Sequence, residues 1–318
     1  MVKASSRSVT LPKGFRAAGT TCGIKPSGKP DLTLIVSDTP CAAAGVFTKS
    51  KLPGAPLLVT KKNLASAARR KDGIRAILCN SGIANDATGD EGVANATTTT
   101  KWVAKHLECE ARHVLPASTG VIGPQLPMPK IEKGVAQLIT ELARGKSADD
   151  AAARGIMTTD LVPKSASATL MLGSTRTAIG GIAKGSGMIA PNMATMLAFI
   201  TTDAPISQAA LQKVVSDAAA ASFNRISVDA HTSPSDMVIV LANGAAGGKS
   251  IDGGPALSTF ARALTELCQD LAYQIVQDGE GATRVFRVQV RKAKSTSDAD
   301  RIGQAVINRR HPGRVLIA

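Results

Sequence analysis

The chain has 318 residues, a formal net charge of +14 and aromatic side chains at only 3% of its positions. This length predicts two packed regions or one large α/β unit. The positive charge would attract nucleic acid, but so few aromatic residues provide poor stacking platforms for single strands, and an acidic small substrate fits the sign of the charge equally well.

The predicted elements alternate between short apolar runs and helical patterns, which is typical of a mixed α/β fold. The predicted strands are Leu32 to Val36, Pro56 to Thr60, Ile74 to Cys79, Ala168 to Leu172 and Met196 to Thr202. The predicted helices lie near Gly92 to Leu107, Pro129 to Ala143, Ser207 to Ala221 and Leu257 to Val276. Ser207 is the expected N-cap of the third helix. A half-exposed strand is expected around Phe286, Val288 and Val290, whose alternate residues are polar.

Membrane and metal sites are not expected from this sequence. No stretch approaches the roughly 20 apolar residues of a spanning helix, and the N-terminal segment has no apolar signal-peptide core, which predicts a cytoplasmic protein. The cysteines and histidines are scattered without metal-binding spacing, so we expect neither a metal nor a disulfide framework. They are Cys22, Cys41, Cys79, Cys109, Cys268, His106, His113, His231 and His311.

The run KGSGMIAPNMATMLAF, from Lys184 to Phe199, places Thr195 directly after a small residue, in a glycine-rich segment. A threonine hydroxyl is a weak nucleophile, and cleavage of the backbone before it would create an α-amine that serves as its base. Ala194 and Thr195 would flank this cut. The same residues are also compatible with an ordinary turn that leads into an apolar strand.

Several longer blocks make the sequence resemble the glutamate N-acetyltransferases of arginine biosynthesis, also called ornithine acetyltransferases. The blocks are GFRAAGTTCGIK (14–25), AGVFTKS (44–50), CNSGIANDATGDEG (79–92), STGVIG (118–123), MTTDLVPK (157–164), KGSGMIAPNMATMLAF (184–199), SFNRISVDAHTSPSD (222–236) and QDGEGATR (277–284). The resemblance implies mixed sheets layered with helices in an N-terminal-nucleophile-like fold of the DmpA and ornithine acetyltransferase type.

The resemblance further implies an autoprocessing acyltransferase. Segment 1–194 would precede the cut and segment 195–318 would begin with the nucleophile; the two would stay associated, as a heterotetramer of two α and two β chains. Thr195 would take the acetyl group from N2-acetylornithine and pass it to glutamate by a ping-pong mechanism. No cofactor is expected, although acetyl-CoA stays open as a second donor.

Individual site residues are implied by the matched blocks. Thr119 and Gly120 would form the oxyanion hole, while Thr158, Lys184, Thr195 and Glu280 would contact substrate. Without the resemblance, an ordinary turn would be the preferred interpretation of Thr119 and Gly120, and the other residues are also compatible with turn hydroxyls and solvated charges. The aspartates that bracket His231, Asp229 and Asp236, are interpreted as loop-structuring residues.

The resemblance ends beyond the segment from Gln289 to Asn308, and two late substrate contacts of the family, near its carboxy terminus, have no counterpart here. We therefore predict autoprocessing with more certainty than full transferase activity, because cleavage uses local residues whereas transfer also uses the late contacts. Three alternatives stay open: an N-terminal-nucleophile amidase or aminopeptidase, a catalytically impaired truncated remnant that binds ligands or a partner, and, resting on charge alone, a nucleic-acid-binding protein.

Overall fold

A computed structural model describes residues 8–189 and 196–307, together with the backbone of residues 314–317. Its helices are α1 (Ala55–Arg70), α2 (Gly89–His106), α3 (Met128–Glu141), α4 (Lys146–Gly155), α5 (Gln208–Ala220), α6 (Gly254–Gln277) and α7 (Thr296–Ile307). Its strands are β1 (Phe15–Thr20), β2 (Leu32–Phe47), β3 (Ile74–Ile83), β4 (Val114–Val121), β5 (Lys164–Leu172), β6 (Thr175–Lys184), β7 (Leu197–Thr202), β8 (Ile226–Ser227), β9 (Met237–Ala242), β10 (Val285–Val288) and β11 (Arg314–Ile317). The mixed α/β class is confirmed.

The main sheet has the strand order β4-β3-β2-β9-β7-β6-β5, with β1 paired to β2. Strand β2 joins the two halves of this sheet, because its first part pairs with β3 and its last part pairs with β9. The register shifts between Val36 and Cys41, where the strand passes from one partner to the other. The pairs β3–β4 and β7–β9 are parallel, so the sheet is mixed.

Strand β7 is buried on both faces of the sheet. Ala198 and Ile200 belong to the core that packs against α5 and α6, whereas Leu197 and Phe199 belong to the core on the opposite face. This alternation follows from the two-residue period of a strand, and a strand covered on both faces reads as a continuous apolar run. The strand predicted at Met196 to Thr202 is therefore confirmed as a central element.

One predicted strand is wrong: the residues from Pro56 to Thr60 form the first turns of α1. Proline is favourable in the first turn of a helix, where its missing N–H has no partner to lose. The buried residues Leu57, Thr60, Asn63 and Ala67 recur every three or four positions, which is a helical period. The short apolar run PLLV concealed that period.

The other predicted elements are present with shifted ends. Ser207 is confirmed as the N-cap of α5, since its hydroxyl accepts a hydrogen bond from the Ala210 amide. The late strand ends at Val288, with Phe286 half exposed, and so stops short of Val290. The elements that were not predicted include helices α4 and α7 and strands β1, β4, β6, β8 and β11. Across the described ranges, no helix has both the length and the apolar character required to cross a bilayer.

The parts of the chain before and after residue 195 share one sheet. Strands β7 and β9 follow this position, and they lie between β6 and β2, which precede it. The expectation that both sides of the proposed cut belong to one core is confirmed. The division into segments 1–194 and 195–318 stays a prediction.

A buried ion pair also joins the two parts. The Lys164 ammonium, at 0% exposure, lies 2.7 Å from Asp160 and 2.6 Å from Asp278, which ends α6. Asp278 accepts a further hydrogen bond from the Leu161 amide at 3.0 Å. A buried charge that loses its partner is strongly unfavourable, so this contact holds α6 to the start of β5.

We expect the substitution Asp278→Ala to lower the free energy of unfolding by about 3 kcal/mol, the lower end of the range for breaking a buried pair, because Asp160 still faces Lys164. The matched control is Asp217→Ala, which removes an exposed pair with Lys213 and should cost less than about 0.5 kcal/mol. Urea unfolding followed by circular dichroism measures both. Equal effects of the two substitutions would contradict the structural role of Asp278.

Candidate active site

The turn that follows β6, from Lys184 to Gly187, brings the candidate site together. The Lys184 ammonium donates to the Thr119 hydroxyl at 3.2 Å, and both side chains are buried. Lys184 is the last residue of β6, and Thr119 lies near the end of β4. Two residues predicted from separate blocks of sequence are therefore in direct contact.

Gly120 lies where the ends of β3 and β4 approach each other closely. It pairs in register with Gly82 and has a φ of +132°. A Cβ atom at Gly120 would lie 2.3 Å from the carbonyl carbon of Gly82, so only glycine fits this position. Two residues earlier in the chain, the Ser118 hydroxyl donates to Asn80 at 2.5 Å, which fixes the same pair of strand ends.

Asp160 connects Thr158 to the Lys184 turn. One oxygen of its carboxylate accepts from the Thr158 amide at 2.9 Å, and the other accepts from the Gly185 amide at 2.8 Å. Burial alone would raise the pKa of Asp160, yet the ammonium groups of Lys184 and Lys164 hold it below its ordinary value. Asp160 is thus an anion shared between the turn and the neighbouring loop.

Glu280 reaches the other side of the turn. Its amide donates to the Ser186 carbonyl at 2.8 Å, and the Ser186 hydroxyl donates to the Asp278 carbonyl, also at 2.8 Å. A Cβ atom at Gly187 would lie 2.7 Å from the Glu280 carboxyl group, so the absence of a side chain there lets the carboxylate lie against the turn. Glu280 itself is exposed.

The predicted cleavage residues, Ala194 and Thr195, lie outside the described residues. The chain is anchored on both sides of them. The Asp229 carboxylate accepts from the amides of Met188 at 2.6 Å and Ile189 at 2.9 Å. The Asp236 carboxylate accepts from the amide of Met196 at 2.8 Å. These bonds agree with the interpretation of both aspartates as loop-structuring residues.

Lys184 and Asp236 are buried groups of opposite charge near this segment. Burial lowers the pKa of Lys184, and the carboxylates of Asp160 and Asp236 oppose that effect. Burial raises the pKa of Asp236 well above its ordinary value, although the Met196 amide and the Lys184 charge oppose it. In the described part of the chain, the second carboxylate oxygen of Asp236 has no hydrogen-bond partner.

Sequence reasoning did not single out the buried ionic residues Asp160, Lys164 and Asp278. All three lie within matched blocks, MTTDLVPK and QDGEGATR. Opposite charges four residues apart more often mark a solvated helix face, so spacing alone gave no signal that this pair is buried. Within the described ranges, no group of three His, Cys, Asp or Glu residues could hold a metal ion.

A family model named ArgJ family matches residues 16–311. The arginine biosynthesis bifunctional protein ArgJ of Nitratidesulfovibrio vulgaris is 45% identical over 295 residues, which cover 93% of this chain and 73% of that protein. ArgJ 1 of a Nostoc species is 46% identical over 299 residues, covering 94% of this chain and 71% of the relative. These relatives share the matched sequence along nearly the whole chain.

Solved structures are also similar to this chain. An ornithine acetyltransferase of Mycobacterium tuberculosis, complexed with ornithine, is 40% identical with a TM-score of 0.54, covering 58% of this chain and 95% of its own. An aminopeptidase of Ochrobactrum anthropi, described as a variant of the Ntn hydrolase fold, has a TM-score of 0.53 at 12% identity, covering 87% of this chain and 88% of its own. That likeness concerns the fold alone, and it confirms the expected N-terminal-nucleophile-like architecture.

The close approach at Gly120 can be tested by comparison with Gly123, which also has a positive φ but has open space around its Cβ position. We expect Gly123→Ala to cost about 1 to 3 kcal/mol through backbone strain alone. Gly120→Ala adds a clash with the Gly82 backbone and should cost more than Gly123→Ala in a urea unfolding experiment. Equal costs would show that β3 and β4 do not touch as described.

The buried carboxyl of Asp236 predicts a pH-dependent stability. The folded pKa of Asp236 is raised above the ordinary value of 3.8, so ionisation of this carboxyl opposes folding. The free energy of unfolding should therefore be highest where Asp236 is protonated and should decrease as pH rises above about 4. Asp236→Asn retains an acceptor for the Met196 amide without the charge. The stability of the parent relative to this variant should therefore fall between pH 4 and pH 8. A constant difference across urea titrations in that range would contradict the raised pKa.

Proposed function

The chain belongs to the ArgJ family, and we propose that it is a glutamate N-acetyltransferase that moves acetyl from N2-acetylornithine to glutamate in arginine biosynthesis. The observation that carries this proposal is the contact of Lys184 with Thr119 beside Gly120. This contact joins the predicted oxyanion donors to the turn that precedes the predicted nucleophile. The name of the ArgJ relatives supports a role in arginine biosynthesis, and the solved ornithine acetyltransferase, complexed with ornithine, supports acetyl transfer that involves ornithine.

The Lys184–Thr119 contact suits an oxyanion hole. Because the ammonium donates to the Thr119 oxygen, the hydroxyl hydrogen of Thr119 is left to point at an acyl oxygen. The Gly120 amide would be the second donor, and the positive charge of Lys184 would favour the developing oxyanion. One such preplaced donor contributes about 3 to 4 kcal/mol to transition-state stabilisation.

The proposed reaction proceeds in two acyl-transfer steps. The Thr195 hydroxyl attacks the acetyl carbon of N2-acetylornithine, and its proton passes to the leaving amine by way of the threonine α-amine. Ornithine departs, and the acetyl group remains on Thr195 as an ester. The amine of glutamate then attacks the ester carbon and releases the Thr195 oxygen. The proton lost by this amine returns to the Thr195 oxygen by way of the α-amine, and N-acetylglutamate departs. Thr158 and Glu280 lie beside the turn that begins at Lys184, and all three residues would bind substrate. No cofactor is required, and acetyl-CoA would be an alternative donor.

Autoprocessing at Ala194–Thr195 would supply the α-amine. The amide of Met196, next to Thr195, is fixed by Asp236, and the chain before the segment is fixed by Asp229. A solved ArgJ chain of Bacillus halodurans, 38% identical with a TM-score of 0.56, covers 59% of this chain but 95% of itself. That share is what a separate chain corresponding to segment 1–194 would give. The product would be a cytoplasmic heterotetramer of two α and two β chains.

The proposal is tested by denaturing mass spectrometry of the parent, Thr195→Ala and the control Thr140→Ala, which changes an exposed hydroxyl on α3. We expect fragments 1–194 and 195–318 from the parent and the control, and one uncut chain from Thr195→Ala. Incubation with N2-acetylornithine alone should then make the fragment that begins at Thr195 heavier by one acetyl group. An uncut parent would refute autoprocessing.

The acyl acceptor distinguishes transfer from hydrolysis. We expect release of ornithine to depend on glutamate and to yield an equal amount of N-acetylglutamate, with replacement of N2-acetylornithine by acetyl-CoA as the test of the second donor. Ornithine release without glutamate would identify an amidase. Native mass spectrometry of the cut protein reports whether the fragments remain together and in which number.

A further inference from the structure

Lys25 is a half-buried lysine that the proposed reaction does not use. It lies in the loop between β1 and β2, at the end of the matched block 14–25. Its ammonium donates to the Pro30 carbonyl at 2.6 Å and to the Met157 carbonyl at 2.7 Å. Met157 directly precedes Thr158, a predicted substrate contact. Lys25 therefore connects the β1–β2 loop to the loop that carries Thr158.

The aliphatic stem of Lys25 packs against the end of β3. A Cβ atom on Gly82 would lie 3.1 Å from the Lys25 Cγ atom, so the lysine stem occupies the space beside this glycine. Gly82 is paired with Gly120, the predicted oxyanion donor, and their backbones are in close contact. One side chain thus reaches the Thr158 loop through its ammonium and the strand end next to Gly120 through its stem.

A buried carboxylate fixes the backbone of Lys25. Asp31 is 0% exposed. Its carboxylate accepts from the amides of Cys22 at 2.7 Å, Ile24 at 2.6 Å and Lys25 at 3.1 Å. Its carbonyl accepts from the Ser81 amide at 2.8 Å, which ties the loop to β3. Because hydrogen bonds to a charged acceptor are strong, the loop holds the lysine in place before any substrate binds.

Lys25 also belongs to the group of charges around the Lys184 turn. Burial lowers the pKa of Lys25, and the carboxylates of Asp31 and Asp160 oppose that effect. The positive charge of Lys184 lowers the same pKa further. Asp160 is the carboxylate that binds the Thr158 amide. The Lys25 ammonium is therefore within electrostatic range of the groups that form the predicted site.

We propose that Lys25 is a positioning residue of the transferase site, which fixes the loop that carries Thr158 against the strand end that adjoins Gly120. This role rests on the acetyl transfer proposed above and adds a residue that none of its steps includes. In this role Lys25 acts through Thr158 and Gly120 and does not itself touch substrate. The spacing of these two groups matters because acyl transfer requires the reacting atoms to be held in a near-attack geometry.

The test measures glutamate-dependent release of ornithine by the parent and by variants of Lys25. Methionine keeps an unbranched stem without the ammonium, so Lys25→Met should raise the KM for N2-acetylornithine about tenfold and change kcat by less than about twofold. Lys25→Ala also removes the stem beside Gly82, and it should in addition lower kcat by about tenfold, because the end of β3 next to Gly120 loses its support.

The matched control is Lys130→Met. The exposed Lys130 ammonium donates to the Gly23 carbonyl of the same loop at 2.8 Å, so this variant removes a similar bond at the surface. It should leave KM and kcat within about twofold of the parent. A KM does not depend on the fraction of enzyme that is folded, so a purely structural loss would lower the rate without moving KM. An unchanged KM in Lys25→Met, or an equal increase in Lys130→Met, overturns the proposal.

Two further measurements do not depend on acetyl transfer. Hydrogen exchange at the Thr158 amide should be about tenfold faster in Lys25→Met than in the parent, and unchanged in Lys130→Met. In the parent itself, trace acetic anhydride should modify Lys130 about tenfold faster than Lys25, because two carbonyls bind the Lys25 ammonium. Mass spectrometry of peptides reports both results, and the second requires no variant to fold.

These measurements separate the two hypotheses. A parent that transfers no acetyl group would refute the proposed function, whereas faster exchange at Thr158 in Lys25→Met would still support the hold of Lys25 on that loop. Unchanged exchange at Thr158, or modification of Lys25 as fast as that of Lys130, overturns the positioning role even if the parent is an active transferase.

Discussion

The sheet depends on strands from both sides of residue 195. Strands β7 and β9, which follow this position, are flanked by β6 and β2, which precede it. Their side chains enter the cores on both faces, so each of these two cores contains apolar residues from both parts of the chain. A cut next to Thr195 would therefore act on an assembled sheet, and the hydrogen bonds between strands would keep the two products together.

The same assembly explains why the site contains buried charge. Lys164 and Lys184 are almost completely buried, and both lie close to Asp160. Their positive charges lower the pKa of the Asp160 carboxyl. Buried ions are tolerated when opposite charges and hydrogen bonds compensate for lost solvation. Asp160 meets this condition with two backbone amides and a lysine, whereas Asp236 has one unpaired oxygen and a raised pKa. The uncompensated carboxylate lies beside Met196, where the chain emerges from the segment of the predicted cut.

The sequence was sufficient for the long helices α2, α3, α5 and α6, and the matched blocks singled out Thr119 and Lys184, which the structure brings into contact. It failed at α1, because a short apolar run has the same appearance in a strand and in a buried helix turn. It also missed the partners of Lys164, since residues 160 and 278 are brought together only by the packing of α6 on β5. Contacts such as Lys184 with Thr119 require the relative positions of β4 and β6, which lie at different places in the sheet order and cannot be obtained from local spacing.

The segment Ser235–Asp236 connects the buried carboxylate of Asp86 to the chain that follows the predicted cut. Ser235 donates to Asp86, and the adjacent Asp236 holds the Met196 amide. The negative charge of Asp86 contributes to raising the pKa of Asp236. Because Lys184 also donates to Thr119, the charge of Asp236 contributes to the electrostatic environment of the predicted oxyanion donors.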